Sequence, residues 1–276
     1  MMSNSTKNKL SVNENRAFLY ADALFETVKI VQQKVLYLED HYFRLMASMR
    51  ILRMKIPMEF SMEYFEQQLL DAIPFEDKQF AHRVRMTVYR NSGGKYLPTD
   101  LSVSFEVQVE KLSSDLYVFS EETYEIELYK DFYIPSDNLL SNLKSTSKLP
   151  SILGSIWADE NGYQNALLLN QNKNIVEALN GNVFMLMGNK LITPSLSEGC
   201  LNGIMRKQVI YIMSKNQEIE VEESNISPFD LQKADEIFIT NVITGIRSAT
   251  KYRKKQYTNE IAKKIISSLN AQIRFN

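Results

Sequence analysis

Apolar positions in the first half of the chain follow both helical and strand periods. Residues 38–52 carry apolar side chains three and four positions apart, which predicts an amphipathic helix. Residues 58–73 predict a second helix that ends near Pro74. Residues 25–37 alternate around Gln32-Gln33-Lys34, which predicts a β-hairpin. Two further strands are predicted at residues 84–89 and 101–109, with a turn at residues 91–95 between them.

The second half repeats this mixture of periods. Helices are predicted at residues 149–160, 203–214 and 261–275, and strands at residues 124–129, 166–169, 183–187, 190–192 and 236–240. Strands and helices in both halves indicate an α+β or α/β architecture. The polar segment Ser113-Ser114-Asp115 interrupts two strand-like runs, so it is the best candidate for a linker between domains.

Length and composition narrow the class of protein. At about 150 residues per domain, 276 residues correspond to about two domains. Lysine plus arginine (32) nearly balances aspartate plus glutamate (33), so we expect no bulk attraction to nucleic acid or to an acidic membrane. The longest apolar runs, such as residues 183–187, fall far short of a membrane span. The polar N-terminal segment has no apolar signal core, so we expect a cytoplasmic protein.

The scarcity of some residue types excludes several chemistries. Cys200 is the only cysteine, which excludes an intrachain disulfide and a cysteine-rich zinc site. His41 and His82 are the only histidines, so a site of three histidines is impossible and no metal is expected. The chain also lacks a G-x-S-x-G elbow and a glycine-rich phosphate loop. An enzyme with this composition would depend on an organic cofactor.

Two residues stand in positions that suit such a cofactor. Lys144 lies in a polar stretch just before a predicted helix, and a helix start favours the neutral amine that Schiff-base chemistry requires. Glu177 lies between two apolar strands, where a carboxylate can keep a pyridine nitrogen protonated. Taken alone, each residue is explained more simply, Lys144 as a solvated loop lysine and Glu177 as an ordinary turn glutamate.

Two further features could bind an anion. Arg44 follows His41 by three positions on the same helix and could hold a phosphate, although an ion pair with Glu39 or Asp40 would also explain it. The segment Asn202–Arg206 opens a helix whose first amides could bind an anion.

The order and spacing of these residues resemble one family. The sequence is similar to the class IV pyridoxal-phosphate aminotransferases, which include branched-chain and D-amino-acid aminotransferases and aminodeoxychorismate lyase. The resemblance covers most of the chain, from about Arg16 to about Ile246. It is carried by the segments RAFLYADALFET (16–27), HYFRL (41–45), NLK (142–144), VE (176–177), NVF (182–184), ITP (192–194), NGIMR (202–206) and ADEIFITN (234–241).

The resemblance implies a cofactor and a role for each matching residue. Lys144 matches the lysine that binds pyridoxal phosphate covalently and then shuttles protons, and Glu177 matches the carboxylate that faces the pyridine nitrogen. Arg44 matches the phosphate-binding arginine, helped by the backbone of Ile204-Met205 and of Asn241-Val242. It also implies a homodimer with a two-domain D-amino-acid-aminotransferase-like fold, made of a small N-terminal domain (residues 1–115) and a larger C-terminal domain (residues 116–276) that carries the lysine.

Several positions are closest to the lyase branch of the family. Leu149 stands five residues after the lysine, where aminotransferases usually have a tyrosine. Thr27 matches a threonine that the lyase pattern suggests protonates the departing pyruvate carbon, although a plain strand threonine is the alternative. Arg90 and Lys95 lie in a segment similar to the lyases' arginine and glycine-rich loop, so they are candidates for holding a substrate carboxylate. Ala21, Ala23 and Ser248 depart from the usual family residues.

These similarities imply a 4-amino-4-deoxychorismate lyase, an enzyme of folate biosynthesis that forms 4-aminobenzoate and pyruvate. An amino-acid transaminase specific for branched-chain or D-amino acids would use the same lysine, glutamate and phosphate site. A non-catalytic homologue that acts as a binding protein is the third possibility.

Overall fold

The computed structural model describes residues 12–275, whose contacts divide into two compact units. The first unit contains residues 12–115 and 144–147, and the second contains residues 116–143 and 148–275. The sequence-based domains differ from these units in one segment. Residues 144–147, Lys144 included, were expected with the C-terminal domain but pack with the first unit, because Ser145 forms a β-bridge with Leu24.

The first unit is built on one antiparallel sheet. Its elements are α1 (Arg16–Tyr20), β1 (Ala23–Val31), β2 (Lys34–Val35), α2 (Leu38–Ile51), α3 (Met62–Asp71), β3 (His82–Arg90) and β4 (Val103–Lys111), and the strand order is β2-β1-β3-β4. Gln32 and Gln33 both have positive φ angles, 50° and 63°, which close the predicted hairpin. The Ser61 hydroxyl accepts a hydrogen bond from the Tyr64 N–H at 3.2 Å, so α3 begins at Met62 rather than at residue 58.

One face of this sheet forms the core of the first unit. Side chains alternate along the paired strands β1, β3 and β4, so every second residue points to the same side. Helix α2 packs on β1 and α3 packs on α2. The core face and these helices contribute the fully buried side chains Leu24, Val28, Ile30, Leu45, Met49, Phe65, Leu69, Val84, Met86, Val88 and Phe105.

The second unit contains two five-stranded sheets and three helices. Its elements are β5 (Glu125–Ile134), α4 (Leu149–Glu160), β6 (Asn165–Asn170), β7 (Ile175–Ala178), β8 (Asn182–Met187), β9 (Lys190–Thr193), α5 (Ile204–Met213), β10 (Glu220–Glu223), β11 (Glu236–Asn241), β12 (Gly245–Ser248), β13 (Lys251–Tyr252), β14 (Lys255–Gln256) and α6 (Glu260–Phe275). One sheet has the order β10-β9-β8-β11-β12 and the other β14-β13-β5-β6-β7.

The core of the second unit lies between its two sheets. The apolar cluster combines Val183, Met185, Ile192, Ile237 and Ile239 of one sheet with Ile126, Leu128, Leu167, Leu169 and Ile175 of the other. Helix α4 packs on β5 and β6, whereas α5 packs on β11 and α6 on β12. The predicted bounds of α4 are confirmed, and α5 and α6 lie within one residue of prediction. No helix within residues 12–275 is both long enough and apolar enough to cross a membrane.

Candidate active site

Lys144 is fixed to the sheet of the first unit by its backbone. The Phe25 N–H donates a hydrogen bond to the Lys144 carbonyl at 2.9 Å, and the Thr146 N–H donates to the Ala23 carbonyl at 3.1 Å. Residues 144–146 therefore run along the start of β1 as a short additional strand. The Nζ atom of Lys144 lies 4.6 Å from the centre of the Phe25 ring, and its charge also acts on His41 of α2. The amine therefore lies at the edge of β1, between the helices and the side of the sheet that Phe25 faces.

That side of the sheet is opposite to the helices and carries positive charge. Thr27 and Lys29 follow Phe25 at intervals of two, and they pair across the strands with Arg85 and Arg83 of β3. We name Lys29, Arg83, Arg85 and Lys144 the cationic face. Thr27 lies on the same side and is buried.

Two residues of the cationic face, Lys29 and Arg85, have lowered pKa values. Burial lowers the pKa of Lys29 to about 8, against the opposing effect of Asp115. Burial and the nearby Arg83 charge also lower the pKa of Arg85. The Arg85 guanidinium lies 3.9 Å from the centre of the Phe25 ring, in a cation–π contact. Arg83 also forms an ion pair with Glu110 of β4 at 3.4 Å, so acidic side chains offset part of this positive charge.

Arg44 lies at the other face of β1, where it forms a two-pronged ion pair with Glu26. Its Nε and Nη2 atoms donate to the two carboxylate oxygens at 2.8 and 2.6 Å. The Nδ1 atom of His41 lies 2.6 Å from the same carboxylate. Burial would raise the pKa of Glu26, but Arg44 and His41 outweigh it and lower that pKa to about 2. Glu26 was not singled out from the sequence, although its place in an apolar strand is a signal that could have found it.

Glu177 belongs to the second unit and lies within the short strand β7. Its Oε2 atom accepts a hydrogen bond from the Leu201 N–H at 2.8 Å. The Leu201 carbonyl in turn accepts from the Asn182 amide at 2.8 Å, and the Cys200 carbonyl accepts from the Asn142 amide at 2.6 Å. Three side chains therefore hold the segment that leads into α5.

The start of α5 has the properties of an anion site. Gly203 caps this ten-residue helix without a side-chain hydrogen bond, and its first turn contains no acidic residue. The first amides, those of Ile204 and Met205 among them, have no partner within the helix. A Cβ atom on Gly203 would clash with the Asn182 carboxamide, so a larger residue would require Asn182 to move. A phosphate suits this helix start, because amides and the helix dipole both favour an anion.

Asn241 and Val242 shape a loop beside the end of β11. The Asn241 Oδ1 atom accepts hydrogen bonds from the N–H groups of Ile243 and Thr244, at 3.0 and 2.9 Å. The Val242 carbonyl accepts from the Tyr117 hydroxyl at 2.9 Å. The Asn241 carboxamide oxygen therefore folds its own loop, and a contact from this segment to a phosphate would come from the backbone.

Comparison with known proteins identifies the family. A model of the family described as amino-transferase class IV matches residues 23–252. The chain belongs to this family. It is therefore a pyridoxal-phosphate-dependent enzyme, as its resemblance implied. The start of α5, which has no side-chain cap and no acidic residue in its first turn, suits the phosphate of that cofactor.

Relatives of this class IV enzyme include both activities considered above. A probable branched-chain-amino-acid aminotransferase of Aquifex aeolicus is 25% identical over 91% of this chain and 82% of that protein. An aminodeoxychorismate lyase of Vibrio harveyi is 22% identical over 84% of this chain and 83% of that protein. The crystal structure of a branched-chain aminotransferase from Thermoproteus uzoniensis has a TM-score of 0.86 at 21% identity, over 98% of this chain and 91% of that one. This likeness confirms the predicted fold class.

The two predicted substrate residues of this class IV enzyme have different surroundings. Arg90 points to the core face and is 6% exposed. Its guanidinium donates to the Asp22 carboxylate at 2.9 and 3.3 Å, and to the carbonyls of Leu52 and Arg53 at 2.7 and 3.2 Å. These contacts tie β3 to the end of α2, so the structure argues against the prediction that Arg90 holds a substrate carboxylate. Lys95 is exposed on the loop between β3 and β4.

Within residues 12–275, no group of three or more histidine, cysteine, aspartate or glutamate side chains is placed to hold a metal ion.

Replacement of Arg90 is expected to affect stability. Arg90→Ala should lower the free energy of unfolding by about 1–3 kcal/mol, because two carbonyls lose their donor and Asp22 keeps only Arg16 as a charged partner. Lys95→Ala should change it by less than about 0.5 kcal/mol, because that side chain is exposed. Urea unfolding of both variants measures the difference. Equal stabilities would show that the contacts of Arg90 are not structural.

Proposed function

We propose that this class IV enzyme is a 4-amino-4-deoxychorismate lyase, which releases pyruvate to form 4-aminobenzoate. The observation that carries the proposal is the position of Arg85, whose guanidinium lies 3.9 Å from the centre of the Phe25 ring that the Lys144 amine also contacts, at 4.6 Å. The lyase substrate has two carboxylates, one on its ring and one on its enolpyruvyl group. A branched-chain amino acid has one carboxylate and an apolar side chain. The positive charge of Arg85 suits the first substrate better, because a guanidinium can pair with its additional carboxylate.

The proposal assigns the cofactor contacts that the family resemblance implies. Lys144 binds pyridoxal phosphate covalently, Glu177 faces the pyridine nitrogen and Arg44 faces the phosphate. The backbone amides of Ile204 and Met205, and the backbone of Asn241 and Val242, complete the phosphate site. When bound, the cofactor supplies an electron sink that stabilises a carbanion next to the substrate amine. The ionised Glu177 carboxylate keeps the ring nitrogen protonated and so maintains this sink.

Two residues would move protons in the reaction. Once the substrate amine has displaced Lys144, the free amine of Lys144 removes the proton from the amine-bearing ring carbon. The enolpyruvyl C–O bond breaks and the ring becomes aromatic. Thr27, on the same side of the sheet, delivers a proton to the methylene carbon of the departing enolpyruvate, which gives pyruvate. One proton is removed and one is delivered, so the reaction is a lyase reaction without net redox change.

The position five residues after the lysine also supports the lyase. Leu149 begins α4 and is 66% exposed within its unit. It has no phenol group with which to touch a cofactor ring or relay a proton. The similarity to the Aquifex aeolicus aminotransferase supports the alternative, a transaminase that shares Lys144, Glu177 and the phosphate site. A non-catalytic homologue is disfavoured, because Lys144 and Glu177 are both retained.

A homodimer is part of the proposal. Helix α4 presents four apolar side chains at helical spacing on its exposed side, namely Leu149, Ile152, Leu153 and Ile156. An apolar stripe of this kind is typical of a surface that another protein chain covers.

The reaction is tested with both candidate substrates. Purified enzyme loaded with pyridoxal phosphate is incubated with aminodeoxychorismate, and separately with branched-chain or D-amino acids plus 2-oxoglutarate. We expect 4-aminobenzoate and pyruvate in equal amounts, and slow or undetectable amino transfer. Rapid amino transfer without 4-aminobenzoate would overturn the lyase assignment in favour of the transaminase.

Glu177→Gln is expected to separate cofactor binding from turnover. The amide can still accept a hydrogen bond from Leu201, so the variant should retain the visible absorption of the bound cofactor. Turnover should fall by about 100-fold or more, because a neutral amide does not keep the ring nitrogen protonated. Glu160→Gln, on an exposed position of α4, is the matched control. Wild-type turnover in Glu177→Gln would show that Glu177 has only a structural role.

A further inference from the structure

Arg16 is a buried charged residue that the proposed reaction does not use. It begins α1, is 3% exposed, and lies far in sequence from the loop that connects β3 and β4. Its Nη1 atom nevertheless contacts three successive carbonyls of that loop. The distances are 3.1 Å to Gly93, 3.5 Å to Gly94 and 2.7 Å to Lys95.

The loop backbone is folded so that these carbonyls converge. Gly93 and Gly94 have φ angles of 121° and 70°, which favour glycine. A Cβ atom on Gly94 would lie 2.1 Å from the Leu97 carbonyl. Carbonyls that point together repel one another and need a donor between them. Arginine suits this position, because its guanidinium offers several N–H groups from one charged plane.

A second set of contacts fixes the guanidinium itself. The Arg16 Nε atom donates to the Asp22 carboxylate at 2.9 Å, and Arg90 donates to the same carboxylate at 2.9 Å. Arg90 is in turn bound to the end of α2. The Arg16 guanidinium also lies 4.8 Å from the centre of the Tyr20 ring. Asp22 and Tyr20 therefore fix the position of the Arg16 guanidinium. Through its contacts with the three carbonyls, the guanidinium in turn restrains the loop.

The restrained loop presents exposed side chains. Lys95, Tyr96 and Leu97 all point outward, and Tyr96 keeps one ring contact, with Tyr20 at 5.9 Å. Lys95 is the loop residue whose charge could meet a substrate carboxylate. We infer that Arg16 is a positioning residue, which fixes the loop at residues 93–95 and thereby sets where Lys95 meets an anionic substrate. The inference rests on the proposed role of Lys95.

Trypsin and steady-state kinetics together test this inference on the full-length enzyme with its cofactor. Trypsin cleaves after lysine, so the rate of cleavage after Lys95 reports how often the loop opens. In Arg16→Ala this rate should rise about tenfold, while cleavage after the exposed Lys215 stays the same. The KM for aminodeoxychorismate should rise about tenfold with kcat little changed, because the loop acts on binding.

A double-mutant cycle connects Arg16 to Lys95. If Arg16 acts through Lys95, Arg16→Ala should raise KM in the wild-type background and have little further effect in Lys95→Ala. Arg16→Lys provides a second variant if Arg16→Ala does not fold. Its compact ammonium keeps a charge near Asp22 but does not reach all three carbonyls, so both effects should be intermediate.

Three results would overturn the inference. The first is unchanged cleavage after Lys95 in both Arg16 variants. The second is a KM increase that persists in full in the Lys95→Ala background. The third is faster cleavage with unchanged KM, which would separate the loop from substrate binding. The trypsin measurement requires no turnover, so failure of the loop restraint is distinguishable from failure of the lyase assignment, which the 4-aminobenzoate assay tests.

Discussion

Strand β1 is buried along its whole length, and the proposed site depends on how its alternation divides the side chains. The face toward the helices carries Glu26 among apolar residues, whereas the other face carries Phe25, Thr27 and Lys29. Charge in the interior is costly unless it is paired. Glu26 meets this requirement through Arg44 and His41, which fixes the arginine proposed to face the phosphate. Strand β1 therefore positions Arg44 through Glu26 on one face, and Phe25, Thr27 and Lys29 on the other.

The two faces of β1 balance their charges differently. At the core face, Glu26 offsets Arg44 directly, and the low pKa of Glu26 keeps that pair ionised over the working range of pH. At the cationic face, Arg83 forms an ion pair with Glu110 of β4 and Asp115 acts on Lys29, whereas burial and the Arg83 charge lower the pKa of Arg85. Under the proposed function, a substrate carboxylate would pair with Arg85, which contacts the same Phe25 ring as the Lys144 amine.

Helices long enough to repeat their apolar pattern were predictable from the sequence, whereas the pairing between strands distant in sequence was not. Helices α2 and α4 match their predicted bounds within one residue, because their apolar positions repeat over three or more turns. Strands β10, β13 and β14 contain two to four residues each, too few to show a period. Arg90 was expected at a substrate, but its position in the register of β3 turns it toward the core. Register depends on pairing between distant strands, which one sequence does not display.

The second unit shows how one backbone segment can set the geometry of two cofactor contacts. The N–H of Leu201 binds Glu177, its carbonyl binds Asn182, and α5 begins three residues later. The carboxylate proposed to face the pyridine nitrogen therefore also anchors the start of the proposed phosphate site. The ring nitrogen and the phosphate of pyridoxal phosphate are held at a nearly constant separation by covalent bonds. A site that binds both ends needs a matching fixed spacing, because a loose spacing would cost ordering entropy each time the cofactor binds. Under the proposed function, the hydrogen bonds of Leu201 would provide that spacing, and Gly203 leaves room for Asn182 beside the helix start.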